Sequence, residues 1–251
     1  MFDAKKEKDN IVKFIRDYFE ANHLGGVVIG ISGGKDSGVV AGLFTEALGK
    51  ENVLGVTLPC HSKATDREDA LLVSDYYGFE MINVDLTSTN DAFRAEIDKL
   101  GDFTEEELKN SEINVKPRLR MTSLYYLAAL YSALKKKVYV VAGTGNKCES
   151  YVGYFTKGGD GVSDINVLGD LTVEEVIKVG EVLHVPEKVL YKTPDDGLSG
   201  KSDEEKLGVK YSDIVKVINN EPVDPEIKEK IERLHQNNLH KFNIPVYKKC
   251  A

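Results

Sequence analysis

Short apolar runs alternate with amphipathic stretches along most of the chain. The runs that predict β-strands are residues 27–32, 52–59, 80–86 and 138–143. Apolar residues at helical spacing predict helices at residues 3–22, 36–48, 66–77, 89–100, 117–135 and 224–238. Continuous apolar strands rich in β-branched residues are typical of a sheet that is covered on both faces. The pattern therefore predicts an α/β fold, with a doubly wound, mostly parallel sheet of about five strands flanked by helices.

Polar and glycine-rich segments interrupt this alternation. Gly25 and Gly26 are expected to end the first helix. Residues 101–116 are acidic and predict a surface excursion. Residues 155–166 and 193–206 are rich in glycine and polar side chains, so we expect both to form loops that lie over a site.

Composition and charge narrow the class of protein. The 251 residues fit a single domain, residues 1–251, that ends in a helical extension opened by Pro225. Apolar residues make up 41% and charged residues 29%, as in globular proteins, and no apolar run approaches the ~20 residues of a membrane helix. A net charge of −8 argues against nucleic acid as a partner. Cys60, Cys148 and Cys250 lie far apart without a C-x-x-C pair, which favours a reducing cytoplasm and neither a disulfide nor zinc.

A glycine-rich segment between the first strand and the second helix carries the strongest chemical signal. Its residues are Gly30, Ile31, Ser32, Gly33, Gly34, Lys35, Asp36 and Ser37. Glycines let the backbone approach an anion, the following helix offers free N–H groups, and Lys35 adds a positive charge. The spacing is neither that of a Walker A loop nor that of a dinucleotide fingerprint. Asp36 would repel phosphate unless a divalent cation lies between them, whereas a plain strand-to-helix turn is the alternative interpretation.

Residues 32–37 resemble the SGGxDS signature of the ATP pyrophosphatase superfamily. Its members cleave ATP between the α- and β-phosphates, and they include NAD synthetases, asparagine synthetases and tRNA-thiolating enzymes. The resemblance implies an adenine nucleotide alpha-hydrolase-like sheet. It also implies that residues 30–37 bind ATP as a co-substrate.

Further segments resemble NAD synthetases in particular. They are residues 114–121, 143–149, 153–166 and 202–211, and the pair His240-Lys241. The corresponding family patterns are NxKARxRM, GTxNxxE, GYFTKxGDG followed by DI, and TDExELG followed by tyrosine. Pro117 replaces the usual alanine of the first pattern, which the first turn of a helix tolerates. The resemblance spans roughly residues 10–245.

The resemblance implies roles for residues around the phosphate. Glu149 follows a predicted strand and can face Asp36, so the two carboxylates are expected to hold one Mg²⁺ on the ATP phosphates. A surface glutamate that caps a helix is the alternative for Glu149. Thr144 is expected to contact ATP, and its alternative is an ordinary helix N-cap.

The same resemblance assigns a binding site for deamido-NAD. Its residues are Arg118, Lys157, Asp164, His240 and Lys241. Lys157 is expected to meet a phosphate, and Asp164 to accept a hydrogen bond from a ribose or an amide. A solvated arginine at the start of a helix is the alternative for Arg118, and the role of Arg120 is left open.

Two positions depart from the family at the ATP site. Val173 stands where the family often has a lysine, and Asp195 stands where it has serine or threonine after a proline. Both positions are assigned to ATP by the resemblance, with the backbone left to make the contact. Cys148 is expected to be an inert packing residue, because a nucleophilic cysteine needs a base or a lowered pKa and no sequence feature supplies one.

The function implied is the ATP-dependent amidation of deamido-NAD to NAD with ammonia. An adenylated intermediate is expected, with AMP and pyrophosphate as the other products. Only the first helix precedes the first strand, so we expect no glutaminase domain. In this family the helix that corresponds to residues 117–135 helps to form a homodimer, and the stripe Leu124, Leu127, Ala128, Leu130 and Tyr131 is expected to be core or subunit interface.

Two other functions are weighed against this one. A tRNA-thiolating enzyme of the same superfamily predicts paired cysteines and a basic surface, and the sequence has neither. A non-catalytic ATP-binding module would bind the nucleotide without turnover. The pairing of Asp36 with Glu149 argues against such a module, because holding a nucleotide needs less metal chemistry.

Overall fold

The computed structural model describes residues 2–62, 64–192 and 202–249. The β-strands are β1 Leu24–Gly30, β2 Val53–Thr57, β3 Glu80–Asn83, β4 Val138–Gly143 and β5 Ile165–Asn166. The α-helices are α1 Ala4–Ala21, α2 Lys35–Leu48, α3 Ala64–Tyr77, α4 Thr87–Asp98, α5 Glu105–Glu112, α6 Val115–Lys135, α7 Lys147–Val152, α8 Val173–Val182, α9 Glu187–Leu190, α10 Asp203–Leu207, α11 Tyr211–Ile218 and α12 Pro225–Asn238. Short 3₁₀ helices lie at Lys50–Asn52 and Leu239–Lys241. None of the helices in the described ranges is long and apolar enough to cross a membrane.

The order of the strands determines where a ligand can bind. All neighbouring strands pair in parallel, in the order β3-β2-β1-β4-β5. The central strand β1 pairs with β2 through Gly30 opposite Val56, and with β4 through Ile29 opposite Ala142. The chain therefore builds outward from β1 on one side before β4 is added on the other. In such sheets ligands bind beyond the carboxyl ends of the strands at this switch point.

Both faces of the sheet are covered, as the apolar strands predicted. Side chains alternate along β1, because successive residues of a strand point to opposite faces. Val27 and Ile29 join a core that α1 and α2 complete, which includes Phe44. Val28 joins the opposite core, with Leu127 of α6. This burial on two faces confirms the predicted doubly wound α/β fold.

The C-terminal helices form a smaller core of their own. Cys148 and Val152 of α7 pack with Ile214 of α11 and Ile231 of α12. Cys148 is fully buried in this apolar cluster, and burial raises the pKa of its thiol. The predicted packing role of Cys148 agrees with this environment. The cluster also anchors α7 on the side of the sheet where β4 ends.

The glycine pair expected to end the first helix lies inside a strand instead. α1 ends at Ala21, and the side chain of Asn22 donates a hydrogen bond to its last turn. Gly25 and Gly26 belong to β1. A Cβ atom at Gly26 would lie 2.4 Å from the ring of Tyr139 on β4. The glycines are therefore explained by close packing between strands, which the local sequence does not reveal.

The acidic segment 101–116 contains a helix that the sequence prediction missed. Thr104 and Glu107 form a reciprocal capping box, in which the Thr104 N–H donates to Glu107 at 2.8 Å and the Glu107 N–H donates to Thr104 at 3.3 Å. This pairing starts α5, because it satisfies N–H groups that a helix otherwise leaves open. The spacing of threonine and glutamate was the signal that could have predicted it.

Regular structure also occurs inside both predicted loops. The segment 155–166 ends in β5, where Ile165 pairs with Ala142 of β4. α10 lies within the segment 193–206 and begins after a capping box of Ser202 and Glu205. Residues 193–201 lie outside the described part of the chain. Both predicted loops are therefore corrected at their C-terminal ends, where β5 and α10 lie.

Candidate active site

The turn after β1 is held in shape by its own serines and by a neighbouring helix. The Ser32 N–H donates to Ser37 Oγ at 3.2 Å, and the two hydroxyl oxygens lie 3.1 Å apart. Gly33 has a φ of 79°, and a Cβ there would lie 2.5 Å from the carbonyl oxygen of Asp66 on α3. Gly34 precedes α2 and has no side chain to cap it. The first N–H groups of α2 are thus left open to an anion.

Lys35 and Asp36 open α2 as a close ion pair. Lys35 Nζ lies 2.9 Å from Asp36 Oδ2, and only 5% of the lysine is exposed. Burial opposes the charge on Lys35, but Asp36 and then Glu149 outweigh it and raise the lysine pKa. Lys35 therefore carries its charge at neutral pH. It is a fixed cation at the phosphate turn.

Asn146 joins the two predicted metal ligands, although they are far apart in the sequence. Its Nδ2 donates to Asp36 Oδ1 at 3.3 Å, and its backbone N–H donates to Glu149 Oε2 at 3.0 Å. Its Oδ1 accepts from the N–H groups of Cys148 and Glu149, at 3.0 and 3.1 Å, and so caps α7. Asn146 is fully buried. The carboxylates of Asp36 and Glu149, here called the carboxylate pair, are thus brought together beyond the ends of β1 and β4.

Glu149 caps a helix, as its alternative interpretation expected, although it is not a surface residue, and its role as a metal ligand stays a prediction. It completes the capping box of α7, as the alternative proposed, and it also lies in the field of Asp36. Sequence reasoning did not single out Asn146. Its spacing to Glu149 is that of a capping box, which was the available signal.

The carboxylate pair carries an electrostatic cost that a cation would relieve. Burial and then the charge of Asp36 raise the pKa of Glu149. No group of three or more His, Cys, Asp or Glu side chains suited to a metal occurs in the ranges that the structure describes. A metal here would therefore take its other ligands from substrate or water. Mg²⁺ binds in this way, through one or two carboxylates and phosphate oxygens.

Three further positions, Thr144, Val173 and Asp195, were assigned to ATP from the sequence. Thr144 lies between β4 and α7, but Asn146 is the N-cap of α7, so the capping alternative for Thr144 is wrong. Val173 begins α8 and packs against the C-terminal core. Asp195 lies outside the described residues.

Most of the predicted deamido-NAD residues contact one another. Lys157 Nζ donates to the backbone oxygen of His240 at 2.8 Å. The Arg118 guanidinium donates to the backbone oxygen of Lys157 at 3.3 Å. Lys241 Nζ donates to the Gly153 oxygen at 2.7 Å. These four residues, Arg118, Lys157, His240 and Lys241, are here called the basic cluster. Because Gly153 ends α7 and Glu149 lies near its start, the basic cluster is connected to the carboxylate pair through a single short helix.

Asp164 makes its hydrogen bonds outside the basic cluster, although both lie on the same side of α6. Its Oδ2 accepts from the Val141 N–H at 2.8 Å, and its Oδ1 accepts from the Tyr125 hydroxyl at 3.2 Å. Tyr125 follows Arg118 by seven residues, so the two lie about two turns apart on one face of α6. Asp164 thus holds the edge of the sheet beside β4.

Of the two arginines on α6, Arg120 is the one that reaches the sheet. Its Nε donates to the Leu58 oxygen at 3.1 Å, just beyond β2, and one terminal nitrogen donates to Ser62 Oγ at 3.4 Å. Burial lowers the pKa of Arg120. Arg118 is exposed, as its alternative interpretation expected. Arg120 therefore lies at the carboxyl edge of the sheet just beyond β2, whereas Arg118 contacts Lys157.

A phosphate-type turn after the central strand, with an acidic pair across the switch point, defines a nucleotide-binding α/β enzyme. The family model of NAD synthase matches residues 7–245. The chain belongs to the NAD synthase family, whose members are ATP-using ligases of NAD biosynthesis.

Individual relatives extend over nearly the whole chain. An NH₃-dependent NAD⁺ synthetase from Carboxydothermus hydrogenoformans is 36% identical over 243 residues, which is 96% of each protein. The structure of an NMN synthetase from Francisella tularensis matches with a TM-score of 0.88 at 32% identity, over 100% of both chains. An NH₃-dependent NAD synthetase from Campylobacter jejuni matches with a TM-score of 0.75 at 30% identity, over 99% of this chain and 100% of that one. The predicted family resemblance is thereby confirmed.

Proposed function

We propose that this protein uses ATP to amidate the nicotinate carboxylate of deamido-NAD with ammonia, and releases NAD, AMP and pyrophosphate. One observation carries the proposal. Asp36 and Glu149 contact the same buried Asn146, at 3.3 and 3.0 Å, beside the phosphate turn at the switch point of the sheet. Family membership and the NH₃-dependent relatives support the choice of reaction.

The chemistry requires activation of a poor acyl donor. Attack of the nicotinate carboxylate on the α-phosphate of ATP gives an acyl-adenylate and pyrophosphate, and ammonia then displaces AMP. Charge builds on the departing pyrophosphate, where the N–H groups of α2 and the fixed cation Lys35 stabilise it. The remaining residues orient the two reactants, and no side-chain nucleophile is needed.

The carboxylate pair fits a magnesium ion on the nucleotide. Asp36 and Glu149 would hold it, since the charge of Asp36 raises the pKa of Glu149 and a cation beside both carboxylates would offset that repulsion. When bound, the ion neutralises negative charge on the phosphate groups. Asn146 orients both carboxylates, and such outer contacts commonly change metal affinity about 10- to 100-fold.

We place the nicotinate nucleotide along α6 and the basic cluster. Lys157 and Lys241 supply positive charge there, with Lys157 donating to the backbone oxygen of His240, and Asp164 supplies an acceptor. We favour Arg120 over Arg118 for an anionic group near the reaction, because Arg120 lies at the carboxyl edge of the sheet. A guanidinium can bind a carboxylate or phosphate through two parallel hydrogen bonds.

The exposed surface of α6 supports the proposal of a homodimer. Leu127 and Ala128 of the predicted stripe are buried in the core, whereas Leu130 is 41% exposed. Tyr126 and Leu134 are 71% and 64% exposed, and with Leu130 they form an apolar row at four-residue spacing. We propose that a second copy covers this row. Sedimentation of Leu130→Glu beside the unchanged protein tests it, and an unaltered dimer mass or a monomeric parent protein refutes it.

The reaction is tested directly with the purified protein. ATP, Mg²⁺, deamido-NAD and ammonium should yield NAD and AMP in equal amounts, and glutamine should not replace ammonium. Glu149→Gln should remove activity while the fold, measured by circular dichroism, is retained. Binding of ATP without NAD or AMP formation would support the non-catalytic alternative, and retention of tRNA on a filter would support the thiolating enzyme.

Nicotinate mononucleotide is a second candidate substrate. The NMN synthetase structure matches with a higher TM-score than the Campylobacter jejuni enzyme, 0.88 against 0.75. The same carboxylate chemistry on the mononucleotide would give NMN. Comparing kcat/KM for the two nucleotides decides between them. A ratio above about 100 in favour of the dinucleotide would mean that its adenylate half is recognised through some 3 kcal/mol of added contact.

A further inference from the structure

Tyr211, the first residue of α11, has a hydroxyl group that finds no partner among the residues that the structure describes. Only 7% of the residue is exposed, and its hydroxyl makes no hydrogen bond within the described ranges. Buried polar groups are nearly always paired, because an unpaired one keeps the full cost of losing water. The unpaired hydroxyl of Tyr211 therefore needs an explanation.

The tyrosine is held firmly in place. Its backbone N–H donates to Glu204 Oε1 on α10 at 2.8 Å, and its side chain belongs to the C-terminal core. Lys35 Nζ lies 5.9 Å from the centre of its ring. Lys35 opens α2 directly after the phosphate turn. Tyr211 therefore faces the turn from the side of α10 and α11.

The surroundings of the Tyr211 hydroxyl keep it protonated, so it can donate a hydrogen bond to a ligand. Burial, followed by the charges of Glu149, Asp203 and Asp36, raises the pKa of Tyr211, so the phenol keeps its proton. None of these carboxylates accepts that proton in a hydrogen bond. A ligand oxygen between the turn and α11 would satisfy the hydroxyl.

We propose that the Tyr211 hydroxyl donates a hydrogen bond to the pyrophosphate part of ATP, and to pyrophosphate after cleavage. This inference rests on the proposed function, because it needs a triphosphate in the turn. The α2 N–H groups and Lys35 hold the phosphates from one side. Tyr211 adds a donor from the opposite side. Tyr211 is then a substrate-binding residue that belongs to the C-terminal helices rather than to the sheet.

The test removes one oxygen atom. Tyr211→Phe should bind Mg²⁺-pyrophosphate and Mg²⁺-ATP about 10-fold or more weakly by calorimetry, because a hydrogen bond to a charged acceptor is lost. AMP affinity should stay unchanged, since AMP lacks the pyrophosphate group. The melting temperature of the ligand-free variant should be equal or higher, because an unpaired buried hydroxyl has been removed.

Thr45→Val supplies a matched control. Thr45 Oγ1 is also buried without a hydrogen-bond partner in the described ranges, and it lies ten residues after Lys35, about 15 Å along α2. This variant should change neither ligand affinity, and its melting temperature should likewise be equal or higher.

Three results would overturn the inference. They are unchanged affinity of Tyr211→Phe for pyrophosphate, an equal loss of AMP affinity, and a fall in melting temperature that Thr45→Val does not show. The first would mean that the hydroxyl binds only water. If the unchanged protein makes NAD while Tyr211→Phe binds pyrophosphate normally, the inference fails and the proposed function stands. If the unchanged protein makes no NAD, the proposed function itself fails.

Discussion

Replacing Asn146 by aspartate separates the two tasks of this side chain. The new carboxylate keeps the Oδ1 acceptor that caps α7, and aspartate caps helices as well as asparagine does. The Nδ2 donor, however, is replaced by a second anionic oxygen. This oxygen faces Asp36 Oδ1, which lies 3.3 Å from Nδ2 in the unchanged protein. A hydrogen bond turns into a repulsion, while the helix cap is retained.

The size of the repulsion follows from the distance. Two unit charges about 4 Å apart repel by about 4 kcal/mol at the effective dielectric constant of such a site. Side-chain movement relieves part of this, so we expect the free energy of unfolding of metal-free Asn146→Asp to fall by about 2–4 kcal/mol at alkaline pH. For a protein of this size that corresponds to a fall in Tm of about 5–15 °C.

Scanning calorimetry at about pH 8.5 and pH 5.5, with and without Mg²⁺, provides the assay. The loss should shrink at the lower pH, because a carboxyl group near Asp36 then takes up a proton. Mg²⁺ should raise the Tm of the variant more than that of the parent protein, since a cation now relieves three carboxylates. Asn146→Ala is the control. It removes the cap, at about 1 kcal/mol, without adding charge, so its loss should change little with pH.

The result that refutes this reasoning is a loss in Asn146→Asp that matches Asn146→Ala at both pH values. It would mean that Asn146 acts only as a helix cap. It would also mean that Asp36 and Glu149 are not close enough in solution to be coupled through it.

Further predictions concern the pH dependence, a strand contact and the two arginines. Because the pKa of Glu149 is raised in the fold, the native metal-free protein holds a proton that the unfolded chain releases. The free energy of unfolding should therefore fall as pH rises from the unfolded pKa of about 4.3 through the raised pKa of the folded protein. Tm measurements at several pH values should show a flatter slope for Glu149→Gln. Gly26→Ala should lower the unfolding free energy by about 1–3 kcal/mol in urea titrations, since its Cβ would lie 2.4 Å from the Tyr139 ring, and an unchanged midpoint would contradict this close packing. Arg120→Lys should reduce kcat/KM for the nicotinate nucleotide about 10-fold, more than Arg118→Ala does; the reverse order would return the substrate contact to Arg118.

Much of the fold was predictable because its signals are local. The strands β1 and β4 are apolar runs, and α12 follows a clear start signal, since Asp224 caps it and Pro225 opens it. Two of the missed elements are short or depend on a partner. α5 starts from a capping box of two polar residues, and β5 has only two residues that pair with β4. Neither produces an apolar period long enough to stand out.

The candidate site was predictable only in part, for a related reason. The phosphate turn and the carboxylate pair occur in recognisable motifs, so Asp36 and Glu149 could be named in advance. The resemblance assigned Arg118 to the substrate and left Arg120 open, and the sequence does not show which of the two reaches the sheet, because both lie in the same motif. The answer depends on which face of α6 meets β2, and the packing of the core decides that.

The sequence by itself determined the kinds of element, the phosphate turn and the residues able to carry the chemistry, because each depends on neighbours within a turn or a strand. The tertiary structure alone decided which of these residues meet. Asn146 contacts Asp36 across 110 positions of the chain because β1 and β4 are neighbours in the sheet. Tyr211 faces Lys35 because the C-terminal helices pack on α7. Strand order and helix packing minimise the free energy of the whole core, so no local stretch of sequence encodes them.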